Sequence, residues 1–264
     1  MRFHSISLLL LVTTLISCNH NKFPEFVTQK VAAENVKLDD VFFETDLPER
    51  GSNLSTKKYD FSLDSLMLLI EKFEKNSAGF SLDYYKENWD SARERILEVD
   101  LGAETAKKWF KATGFLFELT GETKYSEELE RIVYSDFKRN LAENEIQEHV
   151  QPYIFTKYVD HIHINLFIST EIIYNHSMGG DVRIWQKTDF PESGNVRVNF
   201  SVNEKKYIEL FIRIPSWAED AEVEVKGVKY LAMPGSYCKI AKKWKEGDVV
   251  EIEFPINRIP DYLR

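Results

Sequence analysis

Two thiols, a histidine pair and three tryptophans are the side chains of this 264-residue chain whose types and spacing could do chemistry. Cys18 follows Leu15-Ile16-Ser17, a small residue before the cysteine and an apolar residue three before it, behind an apolar run from Ile6 to Ile16 and the positive charge of Arg2. That pattern fits a bacterial lipobox, in which the thiol accepts a diacylglyceryl group before the leader is cut away, and two or more acyl chains give stable anchoring. Cys238 would then be the one remaining thiol, so no disulfide framework is expected. It stands inside a strand pattern, Ser236–Ile240, and reads as a small packed residue rather than a nucleophile. His161 and His163 are two apart on one strand face, with His149, Asp160 and His176 near in sequence. Such a pair suits zinc or copper, but packing is the expected role, and no bound metal is expected. Trp185, Trp217 and Trp244 could stack against sugar rings through their indole faces. Trp217, just after Pro215, and Trp244, just before the Lys245–Gly247 turn, read more readily as packing residues. Carboxylate pairs carry no information here, because 43 acidic residues supply pairs by coincidence. No serine elbow, P-loop or dinucleotide fingerprint is present.

The elements that would hold these residues fall into two kinds. Ser62–Lys75 repeats apolar residues with a helical period, and Asp90–Val99 reads as a short charged helix. Glu104–Leu119 is amphipathic, with Trp109, Phe110, Phe115, Leu116 and Leu119 as its apolar face. Thr120-Gly121-Glu122 stops it, and Lys124–Leu141 forms a second helix, so the two make an αα-hairpin. Residues 144–158 read as a connector. The period then changes to two, first at Ile162–Ile168 and next at about 181–187, 194–202, 206–214, 221–226, 236–241 and 248–254. Seven short strands with glycine turns suggest a β-sandwich. The fold class expected is α+β in two parts, a helical region over 36–145 and a sandwich over 146–264, behind a signal peptide at 1–17 and a tether at 18–35.

Composition excludes some partners. The formal charge is −9, and no basic stripe interleaved with aromatics appears, which argues against nucleic acid.

The order of motifs in the β region is specific. YIELFIRIPSWAEDAEVEVKG from Tyr207, then GSYCKI and KKWKEGDVVEIEFP, preceded by IHINLFISTE and WQKTDFPESGNVRVNF, resembles the β-sandwich of glycoside hydrolase family 127, the β-L-arabinofuranosidase family. The resemblance covers about residues 161–255, and less completely the hairpin at about 101–140, where WFKATGFLFELTGETKYSEELERIVYS is similar to helices of the family's catalytic barrel. It implies an antiparallel sandwich behind the remnant of an (α/α) barrel, and a substrate class of arabinose-containing glycans. It also implies a zinc centre of three cysteines and a glutamate, one cysteine being the nucleophile.

Residue by residue, the implied centre is incomplete. Glu104 falls on the zinc-ligand glutamate, but Ala106 falls on a ligand cysteine, and alanine has no donor atom. The family's Cys-Cys pair lies between its helical domain and its sandwich. Here about 20 residues join the two, none of them cysteine. The family's acid/base glutamate lies upstream, where Glu87, Glu94 and Glu98 occur without a matching context, and none is assigned. Zinc is therefore not expected as a cofactor. The function expected is a shortened, catalytically degenerate homologue, lipid-anchored in a bacterial cell envelope and facing the periplasm or the exterior, that associates with glycans. The alternatives are an active glycosidase with rearranged carboxylates, or an interaction subunit whose bare helix face, lacking its barrel neighbours, meets a partner or a second copy.

Overall fold

The computed structural model describes residues 29–30, 36–38, 60–75, 81–97, 99 and 101–263. The signal peptide, Cys18, Glu98 and most of the tether lie outside the described residues. The helical part opens with α1 (Asp60–Lys75), α2 (Leu82–Ile96), α3 (Ala103–Thr120) and α4 (Thr123–Ile132). Ser81 caps α2 by accepting the Tyr84 N–H at 3.2 Å. Gly121, with φ 66°, ends α3, and its N–H returns to the Phe117 carbonyl. α4 runs through a π-turn at Val133–Phe137 into a short α5 (Lys138–Asn140).

The connector expected at 144–158 is instead α6 (Glu143–Ile154), which leads directly into β3 (Phe155–Tyr158). Its apolar side is sparse in sequence, but Ile146, Val150, Tyr153 and Ile154 are buried against the helices and the sheet. Tertiary contact has overridden a weak local pattern. The helical region thus extends past residue 145.

The β region is a sandwich of two sheets. One has the strand order β1-β3-β4-β8-β11 and the other β10-β9-β12-β7-β6-β5-β2. The first comprises β1 (Gln29–Lys30), β3, β4 (His161–Ile164), β8 (Lys206–Ile214) and β11 (Ser236–Trp244). The second comprises β2 (Val36–Leu38), β5 (Thr170–Asn175), β6 (Asp181–Thr188), β7 (Asn195–Val202), β9 (Glu222–Val225), β10 (Val228–Tyr230) and β12 (Val249–Glu253). Two findings differ from expectation. β4 and β8 pair in parallel, because the chain crosses to the other sheet for β5–β7 before it returns, so the sandwich is not wholly antiparallel. The backbone of β1 and β2 pairs with β3 and β5, so segments expected as tether and helical region close sheet edges. Between the sheets, Ile162, Ile164, Leu210 and Ile212 meet Ile184, Val198, Phe200 and Ile252, all 2% exposed or less. Burial on this scale supplies most of the driving force.

The helices lie against the outer face of the first sheet. Arg213 of β8 forms an ion pair with Glu130 of α4, both side chains fully buried. Arg213 Nε also donates to the Asn165 carbonyl at 2.5 Å. The Asn165 side chain donates to the Tyr153 carbonyl and Thr156 Oγ1, and accepts from Tyr237 Oη at 2.7 Å. Tyr134 reaches the carbonyls of Phe167 and Phe190. The helix face expected to be bare is therefore covered by the chain itself. Trp109 is fully buried, stacked on Trp89 at 5.2 Å, and Phe110, Leu116 and Phe117 are buried with it. The helices form a layer packed on the sandwich. Among the described residues no helix is long and apolar enough to cross a membrane.

Candidate functional site

The two positions matched to a metal centre do not make one. Ala106 is fully buried in the helical core, and its methyl group has no ligand atom to offer. Glu104, on the first turn of α3, is 84% exposed and lies 3.4 Å from Lys107. Glu87 and Glu94 of α2 are exposed. Cys238 lies on the inner face of β11, 1% exposed, and burial pushes its thiol up to about 11. A thiol so placed is neither nucleophile nor ligand at neutral pH.

The histidine pair shares one face of β4 as its spacing predicts, but each ring is already engaged. His163 is buried and stacked on Phe211 at 4.4 Å with 9° between the planes. Burial, helped by the charge of His161, pulls it down to about 4, so it is a neutral ring at physiological pH. His161 Nε2 lies 3.4 Å from Glu209. Among the described residues no three His, Cys, Asp or Glu side chains are grouped so as to hold a metal ion.

One constellation joins residues that the sequence reading noted only as neighbours of the histidine pair, Asp160 and His176, to Ser177. Ser177 donates through Oγ, and through its backbone N–H at 3.2 Å, to Asp160. His176 lies beside the same carboxylate at 3.4 Å. This collects the residue types of a hydrolytic triad in the wrong order. The serine proton goes to the carboxylate, while the imidazole Nδ1 accepts the Met178 N–H and Nε2 donates to the Tyr207 carbonyl. Both ring nitrogens are committed to backbone, so no base is available to the hydroxyl. The group is a clasp that ties the β5–β6 turn to the β3–β4 and β8 backbone.

The three tryptophans separate sharply. Trp244 is fully buried, stacked on Phe200 at 3.9 Å, and donates to the Ile208 carbonyl. It offers no face to a ligand, which corrects the expectation of a carbohydrate contact there. Trp217 is partly buried between Phe190 and Phe254, also a packing position. Trp185 differs. It projects from the outer face of β6, partly exposed, with the Arg183 guanidinium 4.9 Å from its ring centre. Strand pairing sets Asn199 and Glu171 on either side of it. One row further along the same face opens a groove of about 670 Å³ lined by Lys187, Arg197, Asn195, Glu224, Glu251 and Glu253, among others. A ring face beside a row of polar side chains is what an oligosaccharide needs, apolar C–H contact on one side and hydroxyl partners on the other.

Burial drives the Glu130 carboxyl up to about 7, against the lowering effect of Arg213 and with the charge of Glu127 adding to the rise. The sign follows directly. Below about 4.5 the carboxyl is protonated folded and unfolded, and above about 7 it is ionised in both. Between these values only the unfolded chain releases the proton, so stability falls as pH rises, by on the order of 3 kcal/mol. Urea titrations across this window should show that slope in the natural chain and lose it in Glu130→Gln.

Comparison with known proteins bears out the likeness read from the motifs. Residues 161–256 match the family model described as the beta-L-arabinofuranosidase GH127 middle domain. Among solved structures, a glycoside hydrolase is 24% identical over 58% of this chain and 32% of its own, with a TM-score of 0.48. A GH127 beta-L-arabinofuranosidase from Geobacillus stearothermophilus T6 is 23% identical over 57% of this chain and 30% of its own, TM-score 0.45. A second GH127 beta-arabinofuranosidase is 20% identical, covering 57% and 32%, TM-score 0.47. This chain thus spans about a third of the length of the structures it matches, and at these TM-scores the likenesses assign neither substrate nor mechanism. No curated protein matches.

Proposed function

We propose that this chain, similar over residues 161–256 to the GH127 middle domain, is a lipid-anchored protein of a bacterial cell envelope that holds carbohydrate without hydrolysing it. The anchor is read from the lipobox at Cys18. The observation that carries the binding reading is Trp185, which keeps a partly exposed ring, with Arg183 over it, on the sheet face that also carries the polar groove, while Trp217 and Trp244 are taken up by packing. Loss of hydrolysis is supported by the packed methyl group of Ala106, the solvent-facing Glu104 and the inert thiol of Cys238. Family likeness points to arabinose-containing glycans as the ligand class.

The test is a glycan array probed with the lipid-free mature chain, run beside an assay on an aryl β-L-arabinofuranoside. Binding without turnover is expected. Trp185→Ala should weaken binding about tenfold, the loss of one stacked ring, while leaving the denaturation midpoint nearly unchanged. Turnover abolished by a chelator would overturn the non-catalytic reading. Chelator-insensitive turnover would point instead to a rearranged carboxylate site.

A further inference from the structure

A second cleft, independent of the outer-face groove, lies where α2 and the start of α4 meet the sandwich. Its volume is about 310 Å³, the small end of the range that holds small molecules, and Tyr262 of the C-terminal turn forms part of its wall. We propose that this cleft binds a small uncharged polyol of monosaccharide size.

Three observations carry this. First, the wall is rigid. Glu128 is 2% exposed and accepts from Trp109 Nε1, Arg93 Nε and Arg131 Nε, each at 2.9 Å, so the two guanidinium groups are held from behind. Glu127 is fixed from the opposite side by the backbone N–H and Oγ of Ser216. Polar groups aimed in advance lower the ordering cost of binding.

Second, hydrogen-bonding capacity is left over at the mouth. The Asp90 side chain is exposed at the mouth and makes no hydrogen bond or ion pair with the described residues, although it is three residues from Arg93 on the same helix and both line the cleft. Arg93 donates through Nε to Glu128 and its guanidinium lies 5.9 Å from the Trp89 ring centre, while its two terminal nitrogens make no hydrogen bond with the described residues. An acceptor and a two-pronged donor side by side match a pair of adjacent hydroxyls, each of which donates one bond and accepts another.

Third, the charges lining the cleft cancel. Asp90, Glu127 and Glu128 stand against Arg93, Lys124 and Arg131. An anion would be repelled by the first set and a cation by the second, whereas a neutral ligand uses both.

Saturation-transfer NMR on the full mature chain tests this, with neutral pentoses and hexoses, a hexuronate and inorganic phosphate as separate probes at millimolar concentration. Transfer to at least one neutral sugar is expected, with none to phosphate. Arg93→Met and, separately, Asp90→Asn should each weaken it about tenfold, as expected for losing a charged hydrogen bond. Asp90→Asn removes no intramolecular partner, so it keeps the test valid if Arg93→Met loosens the helix. All probes are run on a Trp185→Ala background, which removes the stacking ring of the outer groove, so that the signal read belongs to this cleft. The proposal fails if no neutral monosaccharide shows transfer, if the hexuronate or phosphate is preferred, or if the signal survives both cleft variants.

Discussion

Glu130→Ala should destabilise the folded chain by about 3–5 kcal/mol, the cost of leaving one member of a buried ion pair without its partner. Arg213→Met should cost less, and the difference should widen as the pH is lowered from 8 to 6. The asymmetry comes from what each orphan can do. Without Arg213, the Glu130 carboxyl takes up a proton, and burial already holds it near 7. Without Glu130, Arg213 stays a cation in a site of zero exposure, because a guanidinium has no accessible neutral form. Its Nε bond to the Asn165 carbonyl would persist, but its terminal nitrogens would have no acceptor, and Nη1 has none even in the natural chain. The double variant Glu130→Leu with Arg213→Met should recover much of the loss, since an apolar pair of similar volume removes both desolvation costs. Urea midpoints at pH 6 and pH 8 for the three variants decide the matter. Equal losses for both single variants at both values would show that the pair is not the pin between helices and sandwich.

Trp244→Ala should cost a further-reaching 3–5 kcal/mol, about the loss seen when a buried aromatic is deleted from a core. The indole is fully buried, stacked on Phe200 across the sandwich, and donates its N–H to the Ile208 carbonyl. Removing it leaves a cavity between the sheets and an unpaired carbonyl on a central strand. Trp185→Ala should shift the midpoint by well under 1 kcal/mol, as is usual for a surface position away from buried features. The same residue type thus has opposite expected readouts, stability at 244 and ligand binding at 185. If Trp185→Ala unfolded the chain, or Trp244→Ala weakened sugar binding while the midpoint held, the assignment of the two rings would be reversed.

Much of the architecture was legible from local pattern. The helical hairpin from Glu104 to Leu141 and seven of the strands announce themselves through periods of 3.6 and 2, which report which face of an element is buried. Motif order from Ile162 to Pro255 pointed to the family likeness that the 161–256 match bears out. That Ala106 carries no donor atom needed no tertiary structure, because a residue without a ligand atom has none in any fold. What local pattern could not supply was partnership. α6 and β5 were missed because their burial comes from neighbours distant in sequence, and the parallel β4–β8 pair depends on a crossover through the other sheet. Trp185, Trp217 and Trp244 are equivalent as letters, and only packing against Phe190, Phe200 and Phe254 separates a core ring from a surface one. Glu130 and Arg213, 83 positions apart, carry no mark of pairing until the helices close on the sheet. Charge pairing and cleft shape are properties of distances between elements, and those distances exist only once the chain has folded.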